Sequence, residues 1–176
     1  MYFNPTQIAL VNRSFGHAEK MASKYYRLSD TAWQRLRYDV RTRAFLADHE
    51  RNENVFAHLC RYVYHKEGSV TGNLGFYFYR ICLQDDRILD AVNRAYSFIK
   101  LPPLLLYIAV HELVHVIRFD TGHGNFDMDQ EERKKEETKV HEITRQVLSP
   151  IVSPEMKIVL ECFSERTNIF DTINYS

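Results

Sequence analysis

The spacing of apolar and polar positions divides the chain into helical and extended stretches joined by short polar segments. Apolar residues recur three and four apart from Ile8 to Tyr26 and again from Trp33 to Leu46, with Ser29 or Asp30 placed to cap the second stretch. Two N-terminal helices are therefore expected. A third stretch, Val55 to Tyr64, also reads as helical and runs into a polar segment, His65 to Asn73, where Gly68 and Gly72 supply turn geometry. Gly75 to Leu83 breaks this rhythm. Its aromatic and β-branched residues predict a strand, and Asp85-Asp86 offers a turn back into Arg87 to Val92, giving a short sheet or hairpin over about 75–92.

In the second half, Pro102 and Pro103 stand where proline is tolerated, in the first turn of a helix, and Leu104 to Phe119 then continues without a breaker. Apolar residues occupy most faces of this helix, so it should lie at the centre of the fold. The near-continuous apolar run Leu101 to Val110 stops at His111, about half of the roughly 20 residues that a membrane span needs. Asp120 to Asp129, with Gly122 and Gly124, reads as a loop. Gln130 to Leu148 reads as a helix that halts before Pro150, and Ser153-Pro154 opens a last helix from Glu155 to about Phe170.

The chain holds only 6 glycines and 5 prolines and shows no internal repeat, which speaks against a turn-rich all-β architecture. The expected class is α+β and mainly helical, as one domain over residues 1–176. Within it, 1–70 form a helical N-terminal part, 75–150 a core, and 153–173 a C-terminal helix.

Charge narrows the partners. Lysine plus arginine equals aspartate plus glutamate at 23 each, so no overall field exists to hold nucleic acid or a charged membrane, and neither is expected. Three cysteines, Cys60, Cys82 and Cys162, are odd in number, widely spaced and without a CxxC. They fit neither a disulfide framework nor a zinc knuckle and are expected to be reduced, mostly buried thiols. With no basic start followed by an apolar stretch at the N-terminus, a cytoplasmic location is the expectation.

The chemistry concentrates in His111-Glu112-Leu113-Val114-His115, an HExxH motif in the middle of the central helix. At ~1.5 Å rise per residue, positions four apart stack on one face about 6 Å from each other. That is close enough for two imidazole nitrogens to share one zinc ion at ~2.0–2.1 Å. Glu112 is turned by about 100° from His111, so it can reach a water beside the metal without displacing it, which is the place of a general base. Two histidines and a glutamate also interrupt an apolar run that otherwise belongs in the core, and buried polar side chains need partners.

A third protein ligand is required. Glu136 and Glu137 stand 21 and 22 residues after His115 on the following helix, and both are reachable. The stripe Val140, Ile143, Val147 places Glu136 nearer its middle and Glu137 at its margin, so periodicity leans towards Glu136. Asp127 and Asp129 suit helix caps better than ligands. His17, His49, His58 and His65 have no spacing partner.

Between Leu104 and Pro150 the chain resembles the gluzincins, HExxH zincin metallopeptidases, and in particular their compact or mini-gluzincin members. The metzincin pattern does not fit, because Arg118 and Thr121 stand where it has glycine and histidine. Glu137, His141, Thr144, Val147-Leu148 and Pro150 are similar to the glutamate helix of compact gluzincins, with His141 in place of that family's Asn or Asp. The resemblance implies a zincin-like fold with the sheet packed on the HExxH helix, and a single Zn2+ held by His111, His115 and Glu137. It also implies hydrolysis of a protein or peptide substrate with Glu112 as base, and an oxyanion-stabilising group among His123, His141 and Tyr175. By position, the strand Gly75 to Leu83 resembles the one that pairs with an extended substrate in zincins. The competing expectations are a non-catalytic zinc sensor or interaction domain on the same fold, and a helical interaction protein without metal.

Overall fold

A computed structural model describes residues 1–65, 75–95 and 98–164. The first helix, α1, spans Pro5–Tyr26. Asn4 caps it, its side chain accepting from the Gln7 amide while the Gln7 side chain accepts from the Asn4 amide, with Pro5 in the first turn. A short α2 follows over Asp30–Arg35, capped by Ser29 as the sequence predicts. It ends where Leu36 turns extended, and Tyr38–Arg41 forms strand β1. The expected helix Trp33 to Leu46 is thus mostly absent. Two 3-10 turns, Arg43–Phe45 and Asp48–Glu50, complete that stretch.

The sheet corrects two further expectations. Ala57–His65 is a strand, β2, rather than a helix, and it pairs antiparallel with β3, Gly75–Leu83, from Ala57 opposite Leu83 to His65 opposite Gly75. Strand β1 runs parallel to β3 on its other side, giving the order β1-β3-β2. Residues 85–92 are no strand at all: Asp85–Arg94 is helix α3, with both aspartates in its first turn, where acidic side chains complement the helix dipole. The polar segment expected after His65 lies outside the described residues, as does the chain beyond Ser164.

Why periodicity misread β2 follows from the packing. Tyr79, Ile81 and Leu83 of β3 belong to the buried core, as do, partly buried, their partners Leu59 and Ala57 on β2. The alternate residues His58, Cys60 and Tyr62 are also half-buried, because Glu50 reaches across that second face to Tyr62 and Arg80. A strand covered on both faces loses its polar alternation and mimics a short buried helix.

Helices α4, Leu101–Asp120, and α5, Gln130–Leu148, stand where the sequence places them, whereas α6, Pro154–Cys162, starts as expected but ends at its C-cap Phe163, short of the expected Phe170. Thirteen residues of α4 are buried, from Leu104 to Ile117. Helices α1, α5 and α6 pack around it, and the sheet covers part of the remaining surface. The coarse class, α+β and mainly helical, is the observed one. Although α4 has the length and composition to cross a membrane, 72% of its apolar window is buried inside this fold.

One buried carboxylate ties three separate pieces of chain together. Asp85 accepts the backbone amide of Phe3 at 3.0 Å and that of Arg43 at 2.9 Å, holding the N-terminus and the first 3-10 turn against the start of α3. Asp85→Ala leaves those donors without their acceptor, and each buried donor left unpaired costs about 1–3 kcal/mol. An unfolding free energy from urea denaturation lowered by at least about 1–3 kcal/mol is the expected result; an unchanged value would show that the three pieces are held some other way.

Candidate metal centre

Four aromatic rings line one face of α4 at intervals of four residues: Tyr107, His111, His115 and Phe119. Successive centroids lie 6.1, 4.9 and 5.5 Å apart. This is the stacking that a helical repeat of 3.6 residues imposes on positions i and i+4. Helix α5 faces the stripe with the same spacing, presenting Glu137 and His141. One Glu137 oxygen lies 3.3 Å from His111 Nε2, the other 3.2 Å from His115 Nε2. His141 closes the group: its ring is 4.6 Å from that of His111, and ligand atoms of His111, Glu137 and His141 all lie within 4.8 Å of one another.

The donor set fits a zinc-class cation. Tetrahedral bonds of ~2.0–2.1 Å separate neighbouring ligand atoms by about 3.3–3.4 Å, close to the two contacts that Glu137 makes here. Two imidazoles and one carboxylate are also a combination that catalytic zinc sites use. The Nδ1 atoms of His111 and His115 are buried and unpartnered, which leaves the Nε2 edges, turned to Glu137, as the edges that engage the site. Glu137 itself is half-exposed at the cavity wall, where an ion has access to it.

Electrostatics separates the roles of the surrounding groups. Burial pushes the Glu112 carboxyl up from its ordinary value, an effect the neighbouring histidines only partly oppose. Burial also works against the charge of Glu137, but the hydrogen bonds with His111 and His115 outweigh it and hold that carboxyl well below the usual range. For His115, burial lowers the pKa and the Glu137 contact more than restores it, so the net shift is upward. His141 moves the other way: burial, reinforced by His111, lowers it to about 3, leaving a neutral ring. The hydroxyl of Tyr107 fixes that ring through a 2.6 Å hydrogen bond at Nδ1.

Glu136 and Glu137 have different tasks although adjacent. Glu136 receives a two-pronged ion pair from Arg118, Nε at 2.6 Å and Nη2 at 2.8 Å. Arg118 also donates to the His123 carbonyl at 3.2 Å. The loop comes so close that a Cβ on Gly124 would sit 2.8 Å from Glu136 Oε1. His123 hydrogen-bonds Thr121 through Nδ1 at 2.8 Å within this loop. Asp127 pairs with Arg61 at 2.6 Å, and Asp129 caps α5 as its spacing suggests. Tyr175 lies outside the described residues.

The cluster forms part of the wall of a cavity of about 1640 Å³ that also takes in Glu112 and Phe163. Pockets for single small molecules run to about 300–1,000 Å³, so this one has room for a longer chain. Strand β1 pairs with β3 over Tyr79–Cys82 only. Strand β2, an outer strand of the sheet with one edge unpaired among the described residues, lines the same cavity through Ala57, His58 and Leu59.

Sequence reasoning underrated two features. Glu137 and His141 repeat the four-residue spacing of HExxH on the opposing helix, a signal that marks His141 as part of the site. The second is a group on the sheet, His58, Cys60 and Cys82. Cys60, accepting from the Cys82 thiol and lying beside His58, is lowered to about 5, while the same contact together with burial pushes Cys82 up. A His-x-Cys spacing places two ligands on one face only in a strand, so reading this stretch as a helix hid it.

Comparison of the chain with protein-family models, with curated proteins and with solved structures finds no match, so the chemistry of these sites rests on their own geometry.

Proposed function

We propose that the protein is a zinc-dependent metallopeptidase of the gluzincin type, acting on a protein or peptide substrate. The observation that carries this reading is the convergence of His111, His115 and Glu137 from two helices on the wall of a large cavity, with Glu112 buried beside them. His111, His115 and Glu137 would hold the ion. When bound, zinc supplies Lewis-acid polarisation of the scissile carbonyl and acidifies a water. Glu112 takes the proton of that water as its oxygen bonds to the carbonyl carbon. It then returns the proton to the leaving nitrogen as the C–N bond breaks. A carboxyl whose pKa burial has raised is suited to holding the proton between those two moments. His141, neutral and held by Tyr107, stands where a ring N–H can donate to the developing oxyanion. The free edge of β2 offers backbone groups to an extended substrate, which gives affinity with little demand on sequence. A cytoplasmic setting accompanies this reading.

One observation favours a second reading. His141 groups with His111 and Glu137 in a three-residue cluster that does not include His115, and such an alternative donor set suits a structural or sensing zinc site.

Glu112→Gln separates the two. For the peptidase, the variant retains one zinc per chain at this centre, while turnover of an unfolded protein substrate falls by about 10²–10⁴-fold, the contribution of a general base. Equal hydrolysis by variant and wild type would place any activity elsewhere, and no hydrolysis by either would leave the sensor.

The two neighbouring glutamates give a second prediction. Glu137→Gln weakens zinc binding at this centre by more than the roughly 10- to 100-fold lost with an outer-shell partner. Glu136→Gln keeps the zinc but weakens the Arg118 pair, lowering stability by about 1–3 kcal/mol. Zinc titration and urea unfolding of both variants read this directly, and the reversed pattern would make Glu136 the ligand.

A further inference from the structure

We propose that His58, Cys60 and Cys82 form a second metal site, for a soft d10 cation, Zn2+ or Cu+, on the sheet face opposite helix α4. His58 also lines the cavity of the HExxH centre, but the proposal does not need that reading to be right.

Register puts the three side chains on one face. His58 and Cys60 are two apart on β2, and His58 lies directly opposite Cys82 on β3. The intervening residues Leu59, Ile81 and Leu83 point the other way, into the core around α4. Cys60 Sγ is 3.8 Å from Cys82 Sγ and 3.7 Å from His58 Nε2. A tetrahedral cation with metal–sulfur bonds of ~2.3 Å holds two sulfurs about 3.8 Å apart, and a sulfur and an imidazole nitrogen about 3.6 Å apart. Both edges are therefore already set. His58 Nδ1 is buried without a partner, so the ring's placement rests on its Nε2 contact with Cys60.

A disulfide is the obvious competitor, and the register works against it. Cys60 stands opposite Arg80 and Cys82 opposite His58, so the cysteines are diagonal neighbours. Diagonal positions are about 7–8 Å apart, beyond the roughly 7 Å past which a bridge requires backbone movement. Thiolate and imidazole donors select zinc and copper(I) over the hard cations. Glu50, a buried acid beside β2, is engaged by Tyr62, Arg80 and the Ala47 amide. The group thus offers three protein ligands and an open fourth position. Both cysteines bind as thiolates, and the protons their thiols carry are released to solvent.

The test uses the full chain, reduced, stripped of metal and titrated with Co2+ alone as a spectroscopic stand-in for zinc. Expected is a near-ultraviolet thiolate-to-cobalt charge-transfer band that saturates within two equivalents in the wild type and at one equivalent in Glu137→Gln. It should vanish in Cys60→Ser and in Cys82→Ser, and persist in Glu137→Gln and in Cys162→Ser. Helical circular dichroism checks folding, and His58→Gln, which leaves both thiols in place and should weaken the band, carries the test if a serine variant misfolds. In a parallel arm, Cu+ held by a chromophoric chelator should lose one equivalent to the wild type and none to Cys60→Ser if copper(I) is the preferred ion. Zinc displacing cobalt with no copper transfer would instead identify zinc. No charge-transfer band in the folded wild type overturns the proposal, as does a band that survives both cysteine variants. Rapid formation of a Cys60–Cys82 disulfide in air, faster in metal-free protein and not slowed by zinc or copper, would also overturn it.

Discussion

Everything in this molecule leans on one helix that must be the hydrophobic centre and also carry polar chemistry. Helix α4 is wrapped by α1, α5, α6 and the sheet, and Leu104, Leu105, Leu113, Val114 and Ile117 are almost wholly inaccessible. Glu112 and His115 are nearly as inaccessible, 6% and 7% exposed. Burying a polar group without a partner costs roughly 2–7 kcal/mol depending on the reference state. The two imidazoles are therefore tolerable only because α5 brings Glu137 to their Nε2 edges. Packing and site are consequently one constraint: the contact that lets α4 sit in the core is the contact that assembles the three donors.

The same constraint explains why some of the fold was legible in the sequence and some was not. Helices α1, α4 and α5 were readable because each is long and has a cap or a proline at its start: Asn4 and Pro5, Pro102 and Pro103, Asp129. The sheet was not. Strand β1 has four residues and depends on parallel pairing with Tyr79 to Cys82 some forty positions away, which no local pattern encodes. Asp85-Asp86 looked like a turn because the acceptors of a helix start and of a turn are the same residue types. What decided between them is that Asp85 captures amides from Phe3 and Arg43, again at long range.

For the candidate site, the HExxH letters marked His111, Glu112 and His115, and the rest depended on tertiary detail. Periodicity pointed to Glu136 because it lies nearer the buried stripe, and it is indeed the more buried of the two. Under the proposed reading, however, access to the cavity matters more than burial. The inward position is taken by a carboxylate that neutralises Arg118, a cation at the end of α4 that would otherwise be poorly solvated. The residue at the margin, half-exposed at the cavity, is the one free to meet an ion arriving from solvent. A ligand has to be reachable, and a core residue does not.

The sheet carries the corresponding lesson for β2. Its inner residues, Ala57 and Leu59, serve the core, and its outer ones, His58 and Cys60, meet a second cover made by Glu50 and the 3-10 turns. Two buried faces erase the contrast between apolar and polar positions on which strand recognition depends. They also create the condition under which thiols and an imidazole can be gathered away from bulk water. The misread strand and the unexpected ligand group therefore have a common physical origin: chemistry gathers on this strand because both of its faces are covered, and that covering is what hid the strand from its own sequence.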